Sequence, residues 1–219
     1  MSKIFQAFTK ISAWPIQLIC FRTKIHYENK KNQSRKIKGP AIIVSNHTSV
    51  YDFAVMLFVF PFRYLRYLMA EILFKRKVLG GFLKLMGGIK VDRESYNFTF
   101  INKSLNILQK GGVVGIFPEG RLPVKGETRP LPFKPSAAYL AFLSEVPIIP
   151  VYTNGSYFSK KRAHVIIGEA IDVKQIIDDK YSEKENIERI NCILRERIIE
   201  LENEVKGRIA KKEEKKKHI

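Results

Sequence analysis

The sequence predicts a single α/β domain: a mixed, largely parallel central sheet flanked by helices, with an N-terminal amphipathic helical anchor. Three observations carry this. Short unbroken apolar runs at 41–44, 113–117 and 148–152 have the length and composition of strands buried on both faces. Longer stretches between them repeat apolar residues every three or four positions, the spacing of one helix face. The two patterns alternate along 219 residues without an internal repeat or a domain-sized linker.

The elements follow in order. Within 3–13, Ile4, Phe5, Phe8 and Ile11 share a helical face, Lys3, Gln6 and Lys10 lie elsewhere, and Ser12 narrows the apolar stripe. Pro15 interrupts, and 16–21 is a second, mostly apolar piece. Neither piece reaches the ~20 apolar residues of a membrane span, and no small-residue cleavage site follows, which argues against a signal peptide. A two-helix anchor resting on a membrane surface is the favoured reading, and a helix packed on the domain is the alternative. Residues 28–38 are polar and basic and read as a linker. The expected organisation is therefore 1–38 anchor and linker, 39–180 the domain proper, and 181–219 a C-terminal helix and charged tail packed on it.

The strand at 41–44 stops at Ser45-Asn46-His47. The apolar run 53–62 is too short to span a bilayer and reads as a buried helix ended by Pro61. A strand at 64–69, a helix at 79–86 closed by Gly87-Gly88, and a brief strand at 89–91 follow. Ser95 is placed to cap a helix carrying Phe98, Ile101, Leu105 and Leu108 on one face, closed by Gly111-Gly112. After the strand at 113–117 comes a loop, 122–132, with three prolines. A helix at 136–144, a strand at 148–152 and a strand at 165–168 complete the alternation. Ile187, Ile190, Leu194, Ile198, Leu201 and Val205 mark a long amphipathic helix that is expected to fray from Lys211 onward.

Composition narrows the function classes. A mean hydropathy of −0.14 excludes a multi-spanning membrane protein. Cys20 and Cys192 show no pairing pattern, which suits a reducing compartment. The formal net charge is +18, and such a field attracts nucleic acid, an anionic membrane or an acidic small molecule. Nine basic residues face only Glu28 within 1–40, and seven face only Glu71 within 61–90. Both stretches interleave the charges with large apolar side chains, as a membrane interface does. No helix-turn-helix, zinc-finger or RNA-binding signature is present, so nucleic acid is not expected as a partner.

Three clusters could carry chemistry. His47 and Asp52 are five residues apart, about 140° around a helix, so they meet only if His47 lies in a strand-to-helix turn and Asp52 in the first turns of the helix. Thr48 and Ser49 are then N-cap candidates. A neutral imidazole can take a proton from an alcohol, and a carboxylate on its other nitrogen fixes the tautomer. No Gly-x-Ser-x-Gly elbow is present, and Ser45 and Ser49 have ready turn roles, so the base is expected to act directly on a substrate hydroxyl. Phe117-Pro118-Glu119-Gly120-Arg121 leaves a buried strand at a sharp turn, where Arg121 offers a planar fork to a phosphate and Gly120 allows close backbone approach. A plain surface ion pair between Glu119 and Arg121 is the alternative. Gly87-Gly88-Ile89-Lys90-Val91-Asp92-Arg93 fits a turn presenting Arg93 to an anion. No metal-ligand spacing, P-loop or dinucleotide fingerprint appears.

In order, Ser45-Asn46-His47-Thr48-Ser49-Val50-Tyr51-Asp52, Lys84 to Arg93, Phe117 to Arg121 and Val146-Pro147-Ile148-Ile149-Pro150-Val151 resemble the four motifs of the glycerophospholipid acyltransferase family, most closely its bacterial 1-acyl-glycerol-3-phosphate acyltransferases. The resemblance runs from about Gly39 to about Val173. It implies a membrane-surface O-acyltransferase that makes phosphatidate from lysophosphatidate and an acyl thioester of coenzyme A or acyl carrier protein. It needs no metal or tightly bound cofactor, and works on the cytoplasmic face of the cell membrane as a peripheral or monotopic protein. It implies His47 as base oriented by Asp52. Lys84, Arg93, Glu119, Gly120 and Arg121 would bind the acceptor. Three departures matter: Arg121 follows Gly120 without the usual threonine, which bears on its phosphate contact, while Met69 stands where a lysine is frequent and Lys90 occupies a usually apolar place, and these two bear on the head group. Acylation of another lysophospholipid is the close rival, and hydrolysis of a thioester or phospholipid the more distant one.

Overall fold

The computed structural model describes residues 1–92 and 99–217, so Arg93 and the expected helix cap at Ser95 lie outside the described residues. Its seven strands are β1 (Lys24–Tyr27), β2 (Ala41–Ser45), β3 (Leu65–Ala70), β4 (Ile89–Val91), β5 (Val113–Ile116), β6 (Ile148–Thr153) and β7 (His164–Ile167). They lie in the order β1-β7-β6-β2-β5-β3-β4. Every neighbouring pair is parallel except β6 and β7. Parallel neighbours require crossovers, and the helices supply them. Helices α3 (Asp52–Val59), α4 (Lys77–Leu85), α5 (Thr99–Gln109) and α6 (Ser136–Ser144) each follow a strand, and α7 (Glu183–Lys217) closes the chain.

Both faces of the sheet are covered, which is why its central strands read as continuous apolar runs. Along β2, Ile42 and Val44 join a core with α6 and α7 residues such as Leu140, Leu194 and Leu201. Ala41 and Ile43 join the opposite core with Val55, Met56 and Val59 of α3. The Pro61 stop and the Gly87-Gly88 stop both fall just past the helices they were expected to end.

Two elements differ from the sequence expectation. Strand β1 lies inside the stretch read as anchor and linker. Its four residues are half-buried at the sheet edge and carry no apolar run; pairing with β7 makes them a strand. Helix α7 runs to Lys217 instead of fraying at Lys211. Pairs one turn apart, Lys206–Glu202 at 2.8 Å and Arg208–Glu204 at 2.5 Å, support its charged C-terminal part.

The N-terminal helices α1 (Ser2–Ser12) and α2 (Trp14–Cys20) are present, with Pro15 in the first turn of α2 where its missing N–H costs nothing. Their packing is inverted relative to an ordinary surface helix. Gln6, only 1 % exposed, donates to the carbonyls of Leu65 (2.9 Å) and Met86 (2.7 Å) and accepts the Leu65 amide (3.1 Å). Lys10 is buried as well and donates to the Arg63 carbonyl at 2.6 Å, with those of Phe60 and Pro61 at 3.4 Å. Burial pulls the Lys10 ammonium down to about 8. Ile4, Phe8 and Ile11 point outward, 66–76 % exposed. The polar side of α1 thus holds the domain and its apolar side is bare except for Phe5, which packs on Phe82. Gln6→Leu leaves three backbone groups unpaired beneath α1. The expected cost is about 2–3 kcal/mol in thermal or denaturant unfolding, with faster proteolysis before residue 24.

Candidate active site

The site lies beyond the carboxyl ends of β2 and β5, where open α/β sheets place their ligands. Asn46 extends the β2–β6 pairing past the ladder: its amide donates to the Thr153 carbonyl and accepts the Thr153 N–H, both at 2.8 Å. His47 follows at the turn, and Asp52 opens α3.

Asp52 is fully buried and takes five hydrogen bonds. Its Oδ2 accepts His47 Nδ1 (2.9 Å), the Thr48 N–H (2.6 Å) and the Ser49 N–H (2.8 Å). Its Oδ1 accepts the Thr48 hydroxyl (2.9 Å) and the Tyr157 hydroxyl (2.8 Å). All five partners serve as donors, which suits a carboxylate acting purely as acceptor. Thr48 and Ser49 therefore do not cap α3 with their side chains. The N-cap is Tyr51, and the loop amides close on Asp52 itself. Gly155, at φ +65°, lets its loop press against this turn, since a Cβ there would stand 2.4 Å from Thr48 Oγ1. Burial and the nearby Asp52 charge push the Tyr157 phenol well above its ordinary value, keeping it a donor.

With Nδ1 donating to Asp52, Nε2 of neutral His47 carries the lone pair. Nε2 makes no hydrogen bond to a described residue, and the side chain is 19 % exposed. The ring stacks on Phe117, centroids 4.4 Å apart at 10°, and Phe117 stacks on Tyr67 at 5.1 Å. The imidazole is thus fixed by a carboxylate at one edge and an aromatic face behind it. Neither Ser45 nor Ser49 bonds to it: Ser45 Oγ donates to the Asn46 carbonyl, and Ser49 Oγ accepts the Tyr51 amide.

Glu119 is brought to His47, but through its backbone. Its Oε1 accepts the His47 N–H (2.7 Å) and its Oε2 the Leu131 N–H (3.0 Å), with the side chain 4 % exposed. Burial raises its carboxyl above the usual range, and the two amide bonds oppose that rise. Glu119→Gln turns one of these acceptors into an NH2 group facing an amide. The expected cost is about 2–3 kcal/mol in denaturant unfolding, together with slower turnover as the His47 loop shifts.

The neighbouring Gly120 has φ +70° with the Lys134 stem packed over it, 2.9 Å from where a Cβ would sit. Arg121 does not pair with Glu119. It makes a bidentate bond to Glu127 at 2.7 and 2.5 Å on the surface, and holds the Glu127 carboxyl down to about 2. Beside Phe117 opens an apolar cavity of about 560 Å³ lined by Met69, Phe100, Ile116, Pro118 and Tyr139. Lys84 is not part of this constellation and lines a different cavity.

Residues 24–154 match the family described as Acyltransferase. This chain belongs to the Acyltransferase family. The match starts at β1 and ends just past β6, so it contains His47, Asp52, Lys84, Glu119, Gly120 and Arg121. The 1-acyl-sn-glycerol-3-phosphate acyltransferase of Bacillus subtilis is 28 % identical over 170 residues, covering 75 % of this chain and 82 % of the relative. A human protein, 1-acyl-sn-glycerol-3-phosphate acyltransferase beta, is 31 % identical over 153 residues; the aligned part is 68 % of this chain and 54 % of that one. The fold is similar to that of the 1-acyl-sn-glycerophosphate acyltransferase PlsC from Thermotoga maritima, with a TM-score of 0.61, 21 % identity, and 92 % and 79 % of the two chains covered. Tyr157 lies outside the family match, and the stretch around it, Asn154-Gly155-Ser156-Tyr157, carries no sequence signal of a catalytic loop. Only folding brings its hydroxyl to Asp52.

Proposed function

We propose that this acyltransferase moves an acyl group from a thioester to the free hydroxyl of 1-acyl-glycerol-3-phosphate, forming phosphatidate. The single observation that carries the reading is the His47–Asp52 pair with its Nε2 lone pair unengaged beside an apolar cavity. As the acceptor oxygen attacks the thioester carbonyl, Nε2 takes its proton and Asp52 stabilises the imidazolium. The tetrahedral intermediate then expels the thiolate, which receives that proton from His47. No acyl-enzyme forms, in keeping with the engagement of Ser45 and Ser49 elsewhere. The glycerol phosphate is bound by Arg93 and by Arg121, whose guanidinium exchanges Glu127 for phosphate. Glu119 and Gly120 shape the loop between them. The donor is a thioester of coenzyme A or of acyl carrier protein.

The acceptor and the product are lipids, and the bare apolar face of α1 and α2 supports contact with an anionic membrane surface. Ile4, Phe8, Ile11, Ile16 and Ile19 are all more than half exposed, while no described helix is long and apolar enough to cross a membrane. A peripheral position on the cytoplasmic face fits this arrangement. Ile4→Ser/Phe8→Ser/Ile11→Ser removes apolar side chains that touch nothing in the domain core. Sedimentation with anionic vesicles is expected to weaken at least about tenfold at unchanged melting temperature. Unaltered vesicle binding would refute the anchor.

The activity test supplies labelled acyl-CoA or acyl carrier protein thioester with lysophosphatidate in vesicles and identifies the lipid product. Labelled phosphatidate is the expected result. Labelled product only with a different lysophospholipid changes the acceptor, and release of free fatty acid alone overturns transfer in favour of hydrolysis.

A further inference from the structure

A second cavity, about 940 Å³, lies toward the amino ends of β3 and β5, away from His47. It is lined by Lys3, Arg63, Arg66, Lys84, Lys90, Lys103 and Lys110, and no acidic side chain among the described residues lines it. Some of this charge is already engaged. Lys90 contacts Glu71 at 2.5 Å, and Arg66 lies over the Tyr64 ring at 4.6 Å. Lys84, Lys103 and Lys110 are exposed to the cavity side of the protein. Gathering so many cations around one concavity is electrostatically unfavourable unless a polyanion offsets it. Arg121, assigned above to the acceptor phosphate, does not line this cavity, so the acceptor does not account for its charge.

The cavity is also linked to the active site by shared walls. Lys90 and Lys103 line both it and a small cleft that includes Phe100, and Phe100 in turn lines the apolar cavity beside Phe117. Gly112 at one end and Phe117 at the other are five residues apart along one extended segment, about 16 Å at strand rise. That is the order of span a pantetheine arm bridges between a thioester and its nucleotide phosphates.

We propose that this basic cavity holds the phosphorylated nucleotide end of a coenzyme A thioester, with the pantetheine arm running past Lys90, Lys103 and Phe100 to deliver the acyl group beside His47. Concavity distinguishes this site from a docking face for an acidic carrier protein, which would present its charges on an open surface. Its position gives Lys84 a role with the donor instead of the acceptor. The inference rests on the acyl-transfer reading, and its test is arranged so that the two can fail separately.

The probe is adenosine 3′,5′-bisphosphate, titrated by calorimetry into the full chain in detergent without anionic lipid. Lys103→Gln/Lys110→Gln is the variant, and Lys180→Gln/Lys184→Gln, equal in charge but outside the cavity, is the control. Lys103→Glu serves as a second variant should the first fold poorly. The expected result is saturable binding to the wild type and the control, weakened about three- to tenfold in the cavity variants. The KM for acyl-CoA should rise by a similar factor, with the KM for lysophosphatidate and kcat unchanged. No binding to the wild type, or equal weakening in the control, overturns the site. Binding that depends on Lys103 and Lys110 in a protein that makes no phosphatidate keeps the site and sinks the acyl-transfer reading. Normal acyl-CoA kinetics in the cavity variants does the reverse.

Discussion

Replacing His47 by alanine is expected to lower kcat for phosphatidate formation by about 10²–10⁴-fold, the usual contribution of a positioned general base. The fold should survive. His47 is partly exposed, its backbone amide still reaches Glu119, and the main packing lost is one stacked face on Phe117. Binding of lysophosphatidate should change little, because the ring holds a proton and not a phosphate. Labelled acyl transfer under single-turnover conditions, with thermal unfolding alongside, reads both expectations. A variant that unfolds normally and turns over at the wild-type rate would remove His47 from the mechanism.

Asp52→Asn has the second largest effect, and it acts on two properties at once. The carboxylate accepts donors on both oxygens, three on Oδ2 and two on Oδ1. An asparagine has one acceptor oxygen and must turn an NH2 group toward the donors on the other side. If the NH2 faces His47, Nδ1 must accept and the proton moves to Nε2, the wrong tautomer for a base, and the Thr48 and Ser49 amides lose their acceptor. If it faces Tyr157 and Thr48, their two hydroxyls lose this acceptor. Loss of kcat by about 10³-fold or more is expected in the first case, and destabilisation by about 2–4 kcal/mol in either. Tyr157→Phe separates them, since it removes a donor and so relieves part of the penalty in Asp52→Asn. A double-mutant cycle on unfolding free energy should show that coupling. Additive effects would mean that the asparagine keeps its oxygen toward Tyr157 and turns its NH2 toward His47.

Much of the fold was legible because its signals are local. A strand buried on both faces must be apolar throughout, so β2, β5 and β6 announce themselves as short runs at 41–44, 113–117 and 148–152. Helix α6 was bounded correctly at Ser136 and Ser144, and β4 at Ile89 and Val91, because Pro and Gly punctuate them. Strand β1 was not legible. Half-buried at an edge, with the sequence Lys-Ile-His-Tyr, it becomes a strand through β7 alone. The amphipathicity of α1 was legible as a pattern but not as an orientation. Periodicity says that a helix has two sides. It does not say that Gln6 and Lys10 will find carbonyls beneath them and turn Ile4, Phe8 and Ile11 outward.

The same division runs through the site. The sequence by itself determined the α/β alternation, the strand ends that carry His47 and Glu119, and the spacing that lets His47 meet Asp52 only across a turn, since these depend on residues a few positions apart. Tertiary structure decided what those residues touch. It buried Glu119 between two backbone amides, sent Arg121 to Glu127, moved Lys84 to a separate basic cavity, and brought Tyr157 to Asp52 across 105 residues. The physical reason is that a carboxylate or a phenol satisfies its hydrogen bonds with whatever donors the packed chain brings within about 3 Å, and that choice is made by the sheet order and the loops, which no local pattern encodes.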